Sequence, residues 1–415
     1  MEANGNSETG INPFVSNLSI LNIFFSLSLT VFSFGIVIYL ENNAISVLYA
    51  GVGLTIGQII LLGTSILQGR AIDKGYSFQL MVTGSILYGA VLFLIYFTVS
   101  IGYIPSLLII ALIPLMLVFE GVFRSSLNAF IAKAAAARAL GKNYSRILTS
   151  EAIGSAFAYV VMVYGAFSLS LSLVFVSSSI LLVFIALLSF FFLRSRERDI
   201  MRKAESSVRR PGFRESIRNL SSKKNFAIPL ITSKAFMTIG IIGFTFFYVP
   251  TGVYLGISPE YSFTFLLITY LLAILIGKYG EKVLDRHQGF GRGFVSLNMM
   301  FDVITYGLVV LSIIYRVDYL FLIAALFASP GVLLVSGAMT YEVGVIGRES
   351  RGMFGGVQRQ FIGIISAFVS FPLTYIFTRN PSYMWGIIFA ASLISFIITF
   401  TIPSALPSTG AVPVN

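Results

Sequence analysis

A few ionisable side chains lie inside long apolar stretches of this sequence, where an isolated charge is costly. Glu120 and Arg124 stand four residues apart, so on a helix they share one face. Burial favours the neutral form of a carboxyl group and a neighbouring arginine favours the ionised form, so a movement that alters either influence would load or release a proton. The pattern predicts either a proton-coupling carboxylate at Glu120 or a static ion pair between packed helices.

The composition excludes most classes of soluble protein. Of the 415 residues, 56% are hydrophobic and 11% are charged, and the mean hydropathy is +0.89, whereas soluble domains carry roughly 25% charged residues. The chain has no cysteine and one histidine, which excludes disulfides, thiolate metal sites and histidine clusters. We therefore expect an integral membrane protein with no cofactor and no bound metal.

Twelve stretches are long and apolar enough to cross a bilayer as helices, which takes about 20 residues because lipid cannot satisfy exposed backbone groups. Their uniform apolarity differs from the short alternating strands of porin-type barrels. The predicted fold class is all-α, with twelve transmembrane helices. They lie at 17–40, 44–67, 78–98, 105–130, 147–167, 170–193, 227–250, 262–279, 293–315, 318–341, 353–378 and 383–403.

The positions of lysine and arginine predict the orientation of the chain in the membrane. If the N-terminus is cytoplasmic, 23 of the 28 basic residues fall in inside loops, two fall in outside loops and three fall within spans. This asymmetry follows the positive-inside rule. It predicts a multi-pass protein of the cell membrane with both termini in the cytoplasm. It also explains the net charge of +11 without a nucleic-acid partner.

Four further charged residues lie within about two helical turns of the predicted cytoplasmic surface. They are Glu151, Lys234, Glu342 and Arg359. A cluster at one depth favours an inner gate, in which salt bridges between two bundles hold the cytoplasmic side shut. Lys234 has a second interpretation, because an unpaired lysine facing a cavity could bind an anionic substrate. Asp302 lies in the middle of span nine, where pairing with a neighbouring helix is expected rather than a role in transport.

One long polar stretch, 194–226, separates six spans from six others. It predicts an N-terminal bundle at 1–193, a basic cytoplasmic linker, and a C-terminal bundle with a short tail at 227–415. The second part of the linker repeats apolar residues at helical spacing, which predicts an amphipathic helix on the inner membrane face, with a solvated tether as the alternative.

The two halves of the sequence resemble each other. Span two is followed by GRAIDKG and span eight by GEKVLDRHQGFGR, so that Asp73 and Asp285 stand 212 residues apart. Gly154 and Gly363, in spans five and eleven, stand 209 residues apart. Similar offsets at two places indicate an internal duplication of a six-helix unit, an architecture typical of secondary transporters.

Six plus six helices, a basic central loop and the loop after span two together resemble the major facilitator superfamily. The loop signature of that superfamily runs approximately Gly-x-x-x-Asp-Arg/Lys-x-Gly. The first copy in this chain supplies Gly69, Asp73, Lys74 and Gly75, one residue short before the second glycine. The second copy keeps Asp285, Arg286 and Gly289.

The resemblance implies where the functional residues lie. Spans one, four, seven and ten would line a central cavity. The cavity candidates are Asn22, Glu120, Arg124 and Lys234. Asp73 would meet the start of span eleven near Arg359, and Asp285 would face the start of span five near Arg146.

The implied activity is secondary active transport of a small solute by alternating access, coupled to protons as a symporter or an antiporter. A transporter-like sensor or scaffold without flux is one alternative. A membrane-embedded enzyme is a weaker one, because the sequence lacks clustered histidines, cysteines or paired carboxylates, so no enzyme activity is expected. The chain has no GxxxxGK[ST] nucleotide-binding sequence. We expect a monomer whose partners are the lipid bilayer and a small-molecule substrate.

Overall fold

The computed structural model describes residues 13–42, 45–100, 106–134, 139–168, 171–207, 213–284, 290–347 and 351–403. These residues form fourteen α-helices and no strands. The first seven helices are α1 (Pro13–Asn42), α2 (Leu48–Ala71), α3 (Ser77–Ser100), α4 (Ser106–Ala134), α5 (Leu140–Ser168), α6 (Leu171–Ser207) and α7 (Phe213–Ser222). The others are α8 (Lys224–Tyr254), α9 (Pro259–Val283), α10 (Arg292–Tyr315), α11 (Asp318–Leu326), α12 (Gly331–Ile346), α13 (Arg351–Arg379) and α14 (Pro381–Thr399).

The helices confirm the predicted all-α membrane architecture. Within the described residues, eleven helices are long and apolar enough to span a bilayer, and α11 and α12 together make a twelfth span that bends by 40°. The sequence predicted this span as one helix, 318–341. The helix instead breaks between Leu326 and Gly331, and Pro330 is the residue immediately before α12. Pro114 lies inside α4, which remains continuous because membrane helices tolerate proline where neighbouring groups satisfy the freed carbonyl.

We divide the helices by their order in the chain into a first, N-terminal group, α1–α6, and a second, C-terminal group, α8–α14. In the first group α1 packs on α5 and α6, and α3 packs on α4; in the second group α14 packs on α8 and α10. The groups meet along two helix pairs, α2 with α13 and α5 with α9. We name the end of the molecule that carries α7 the linker side and the opposite end the distal side.

The helix boundaries support the duplication indicated by the sequence. The starts of α1 and α8, of α2 and α9, and of α5 and α13 are each 211 residues apart. Gly154 and Gly363 are nevertheless not equivalent in packing. A Cβ added to Gly154 would lie 2.1 Å from the carbonyl oxygen of Ile23 in α1, within the same group, whereas Gly363 lies against Leu62 of α2, in the other group. The two glycines therefore serve different interfaces.

The linker is partly helical, as its apolar spacing predicted. The helix α6 continues beyond the membrane-spanning stretch to Ser207, and α7 forms over the second part of the linker. In α7, Leu220 is half-buried and packs against the core of the second group. Just after it, the Lys223 ammonium donates to the carbonyl oxygens of Val345 and Ile346 at 2.5 and 3.1 Å. This contact fixes the linker to the last turn of α12, where carbonyls lack helical partners.

The turn between α2 and α3 contains the loop motif. Gly75 adopts φ = 97°, a conformation that L side chains rarely take, so the tight reversal there requires a glycine. Gly69 is buried near the end of α2, and Lys74 is exposed. The turn packs beside α13, as expected from the resemblance. The side chain of Asp73, and residues Asp285, Arg286 and Gly289 of the second copy, lie outside the described residues.

Candidate functional site

Two carboxylates share one guanidinium group where α4 and α5 meet. The Arg124 Nε atom donates to Glu120 Oε1 at 2.9 Å, and its Nη2 atom donates to Glu151 Oε1 at 2.8 Å. Glu120 is fourteen residues from each end of α4, or about 21 Å at 1.5 Å per residue. The pair predicted from i,i+4 spacing is therefore present at mid-depth. Glu151, which the sequence placed at a gate, belongs to it as a third member.

These charged side chains remain accessible although they lie in the middle of the helices. The side chains are 24% exposed at Glu120, 35% at Arg124 and 25% at Glu151. Part of each of the three charged side chains is therefore not covered by protein, although all three lie well inside α4 and α5.

Aromatic and amide side chains surround this triad. Phe25 of α1 stacks on Phe123 of α4 at 3.7 Å between ring centroids and lies 5.0 Å from the ring of Tyr88. The hydroxyl of Tyr88 is buried, finds no hydrogen-bond partner among the described residues, and interacts electrostatically with Glu120. Asn22 of α1 donates to the carbonyl oxygen of Ile147 and to the Ser150 hydroxyl, both at 2.9 Å. Asn22, a cavity candidate from the sequence, thus ties α1 to α5.

The second group contributes a cation to the same place. Arg359 of α13 donates to the carbonyl oxygen of Gly121, the residue next to Glu120, and lies within electrostatic reach of Glu120 and Arg124. The glycine leaves room for this approach, because a Cβ at position 121 would lie 2.9 Å from the Arg359 Nη1 atom and 2.8 Å from a methyl group of Leu61. We name Glu120, Arg124, Glu151 and Arg359 the α4 charge cluster. It joins the two groups of helices.

A second ion pair lies within the C-terminal group. Lys234 of α8 contacts the carboxylate of Glu342 of α12, which is fully buried. The sequence interpretation left Lys234 available for an anionic substrate and expected salt bridges between bundles. Lys234 is instead paired with Glu342. This pair lies within the C-terminal group, and the Arg124 pairs lie within the N-terminal group. Among the predicted gate residues, Arg359 makes a hydrogen bond that crosses between the groups, and its acceptor is a backbone carbonyl.

The two groups are also in contact on the linker side and, on the other side of the cluster, beyond the middle of α5. On the linker side, Ser145 of α5 donates to the Gly277 carbonyl oxygen of α9 at 2.8 Å, and Gln360 of α13 donates to the Leu62 carbonyl oxygen of α2 at 3.2 Å. Towards the distal side, the rings of Tyr159 in α5 and Tyr270 in α9 are 5.4 Å apart. Tyr270 also interacts electrostatically with Glu151. The α4 charge cluster therefore lies between two sets of contacts that cross the group interface.

Comparison with protein families shows which family has this architecture. The family model described as Major Facilitator Superfamily matches residues 18–370, which is most of the chain. The chain belongs to the major facilitator superfamily. Family membership and fold together make it a secondary transporter in a membrane, and the symmetry of its helix starts is that of this superfamily's repeated six-helix units.

Solved structures of this superfamily share the fold at low sequence identity. The proton:xylose symporter XylE, solved with 6-bromo-6-deoxy-D-glucose, is 14% identical, with a TM-score of 0.69 over 94% of this chain and 96% of its own. The human organic anion transporter MFSD10 (TETRAN) is 13% identical, with a TM-score of 0.62 over 94% of this chain and 100% of its own. No curated protein sequence matches the chain significantly.

Two participants in the site were missed by the sequence interpretation. Nothing in the sequence distinguished Tyr88 from the other tyrosines of the chain, which has twenty. No residue spacing predicts which positions of span three contact span four. The contact at Gly121 could have been predicted in part, since a small residue beside an intramembrane carboxylate permits another chain segment to approach closely. That approach is made by Arg359, whose position 238 residues away gave no indication of it.

Proposed function

We propose that this superfamily member moves a small solute across the cell membrane by alternating access, driven by a proton gradient, and that Glu120 takes up and releases the proton. The observation that carries the proposal is the position of Arg359. A cation from the C-terminal group lies beside Glu120 of the N-terminal group. Relative movement of the groups would therefore change the electrostatic environment of Glu120 directly.

The balance of charges in the α4 charge cluster predicts in which conformation Glu120 binds the proton. With Arg359 in place, two carboxylates and two guanidinium groups balance. When α13 moves away from α4, Glu120 and Glu151 share Arg124 alone, and one negative charge is left over. A carboxyl group binds a proton more readily when a nearby cation is withdrawn. Glu120 would thus bind a proton in the conformation where Arg359 has separated and release it where Arg359 has returned.

The hydroxyl of Tyr88 suits this exchange. A phenol can donate a hydrogen bond to an ionised carboxylate and accept one from a protonated carboxyl group. Its present lack of a partner among the described residues leaves it available for either. Glu151 then keeps Arg124 oriented while Glu120 changes its protonation state.

The moving bodies would be the segments 1–193 and 227–415, joined by the linker 194–226. The excess of lysine and arginine on the linker side supports placing that side, and both termini, in the cytoplasm. The contacts of Ser145 with Gly277 and of Gln360 with Leu62 would then belong to the cytoplasmic half. Arg359, together with these contacts, would hold that half closed. We expect a monomer to suffice, because the α4 charge cluster comes entirely from one chain.

Flux measurements in proteoliposomes test this function. Solutes are first selected by their effect on thermal unfolding of the purified protein across pH, starting from D-xylose and a small organic anion because the two structural neighbours are named for such solutes. A selected solute should enter vesicles faster under an imposed pH gradient, and a trapped pH dye should report proton movement in step with it. Binding without flux would contradict transport and indicate a sensor, and flux that ignores the gradient would contradict proton coupling.

A further inference from the structure

A carboxylate in the C-terminal group lies in the membrane-spanning region without a partner. Asp302 is ten residues from the start of α10 and thirteen from its end, which is near mid-depth. Pairing with a neighbouring helix was the expectation from sequence. Asp302 as a whole is partly exposed, but its Oδ2 atom is buried and has no hydrogen-bond partner among the described residues. The expected pairing is therefore absent from the described part of the chain.

The side of α10 that carries Asp302 faces α8. Asn298 and Tyr306 stand one turn before and one turn after Asp302, and both are buried. Asn298 Nδ2 lies 3.8 Å from the sulfur of Met237 in α8. The Tyr306 ring packs on Gly240 of α8, where an added Cβ would come within 2.3 Å of it. Asp302 thus lies between two contacts with α8, on the inner side of its helix.

The charged groups around Asp302 do not neutralise it. On α10 the nearest titratable group is Tyr306, a phenol. On α8 the closest ionisable residue is Lys234, which is held by Glu342 of α12. From α14 the aromatic Trp385 faces Tyr306, with 6.2 Å between ring centroids. On α11 the ionisable residues are Asp318 and Tyr319, both exposed at the far end of that helix.

We propose that Asp302 is a proton-binding site, occupied by a proton in this conformation and separate from the α4 charge cluster. An ionised carboxylate buried in an apolar setting without a counter-charge is strongly disfavoured, and the neutral acid is the form that such a setting accepts. A metal cation is a poor alternative, because hard cations need several oxygen ligands. No group of three or more candidate ligands occurs among the described residues.

The proton bound at Asp302 would affect how α8 packs against α10. The neutral carboxyl group allows α8 to lie against α10 at Met237 and Gly240. Phe301, the residue before Asp302, lies 6.4 Å from the ring of Phe327, which begins the break between α11 and α12. Loss of the proton would place a negative charge at the buried Oδ2 atom, where α8 packs against α10. The proposal stands whether or not Glu120 couples transport to protons.

Isotope-edited infrared spectroscopy of the whole protein tests this site directly. The chain has five aspartates, and Asp302 is the one that lies within an apolar span. Protein made with carbon-13 at the aspartate side-chain carboxyl carbon should show, at neutral pH, a carbonyl band of a protonated acid that shifts with the label. The band should be absent from D302N and unchanged in D318N. Its absence from labelled wild-type protein would overturn the proposal.

Thermal unfolding across pH gives a second readout. In the unfolded chain Asp302 ionises in mildly acidic solution, whereas the proposed site holds its proton to a higher pH, so a rise in pH between these two points favours the unfolded state. The melting temperature of the wild type should therefore fall relative to that of D302N as pH increases, and D318N should follow the wild type. Parallel profiles of wild type and D302N would overturn the proposal. Stabilisation by sodium chloride in the wild type alone, measured at alkaline pH against choline chloride, would also overturn it in favour of a cation.

Discussion

Glu120→Gln should abolish solute accumulation driven by a pH gradient and leave exchange of labelled for unlabelled solute close to the wild-type rate. The amide has nearly the shape of the acid and still accepts a hydrogen bond from Arg124 Nε, so the helix pair stays intact. It cannot gain or lose a proton, so the gradient no longer biases the movement of the two groups. Both rates are measured in the same proteoliposomes.

The matched control is Glu260→Gln, which makes the same change in the first turn of α9, on the other group and away from Arg124. Accumulation and exchange should both remain at wild-type levels in that variant. If Glu120→Gln reduced the two rates equally, or neither, the coupling role of Glu120 would be rejected. Equal loss would indicate a structural ion pair, the alternative that the i,i+4 spacing left open.

Lys234→Met should destabilise the protein by about 3–5 kcal/mol, because the fully buried Glu342 carboxylate would lose its cation. The loss is measured as a fall in melting temperature or in the denaturant midpoint of the purified protein. The double variant Lys234→Met/Glu342→Leu should recover most of it, since two apolar side chains can replace a buried ion pair.

Lys278→Met is the control for this pair. Lys278 and Glu281 lie 3.5 Å apart on α9, with the lysine side chain 60% exposed, and exposed pairs contribute at most about 1 kcal/mol. A Lys234→Met variant no less stable than this control would show that Glu342 does not depend on Lys234. Failure of the double variant to recover stability would mean that the site cannot be filled by apolar side chains.

Sequence reasoning predicted those parts of the structure that depend on local patterns. Apolar length gave the spans, loop charge gave the proposed orientation, and helical spacing gave the Glu120–Arg124 pair. The tight reversal at Gly75 and the helix α7 in the linker were also readable, because turn chemistry and apolar periodicity act over a few residues. Residue offsets indicated a duplication that the helix starts support at 211 residues.

Contacts between distant segments could not be predicted in the same way. Glu342 is 108 residues from Lys234, and Arg359 is 238 residues from Gly121. Which of several charges at similar depth meet depends on how the helices rotate about their axes, and apolar sequence on nearly every face leaves that rotation unspecified. Asp302 shows the same limit, because the sequence predicted pairing with a neighbouring helix and its Oδ2 atom has no hydrogen-bond partner among the described residues.

Distances between spin labels on the two groups test alternating access most directly. The chain has no cysteine, so introduced cysteines are the sole labelling sites. One pair, Leu67→Cys and Tyr279→Cys, spans the interface near the linker side, and another, Phe97→Cys and Tyr261→Cys, spans it near the distal side. Leu67 lies on α2, Phe97 on α3, and Tyr261 and Tyr279 on α9. All four side chains are more than half exposed, so labels at these positions should not disturb helix packing.

Between acidic and alkaline buffer, the account predicts that one pair lengthens as the other shortens. In Arg359→Gln the linker-side pair should shift towards the longer distance, because losing a charged hydrogen bond worth about 1.5–3 kcal/mol changes the ratio of states by about 10- to 150-fold. Arg379→Gln, at the distal end of the same helix, should leave both pairs as in the wild type. Two pairs that stay fixed, or that lengthen together, would contradict the account.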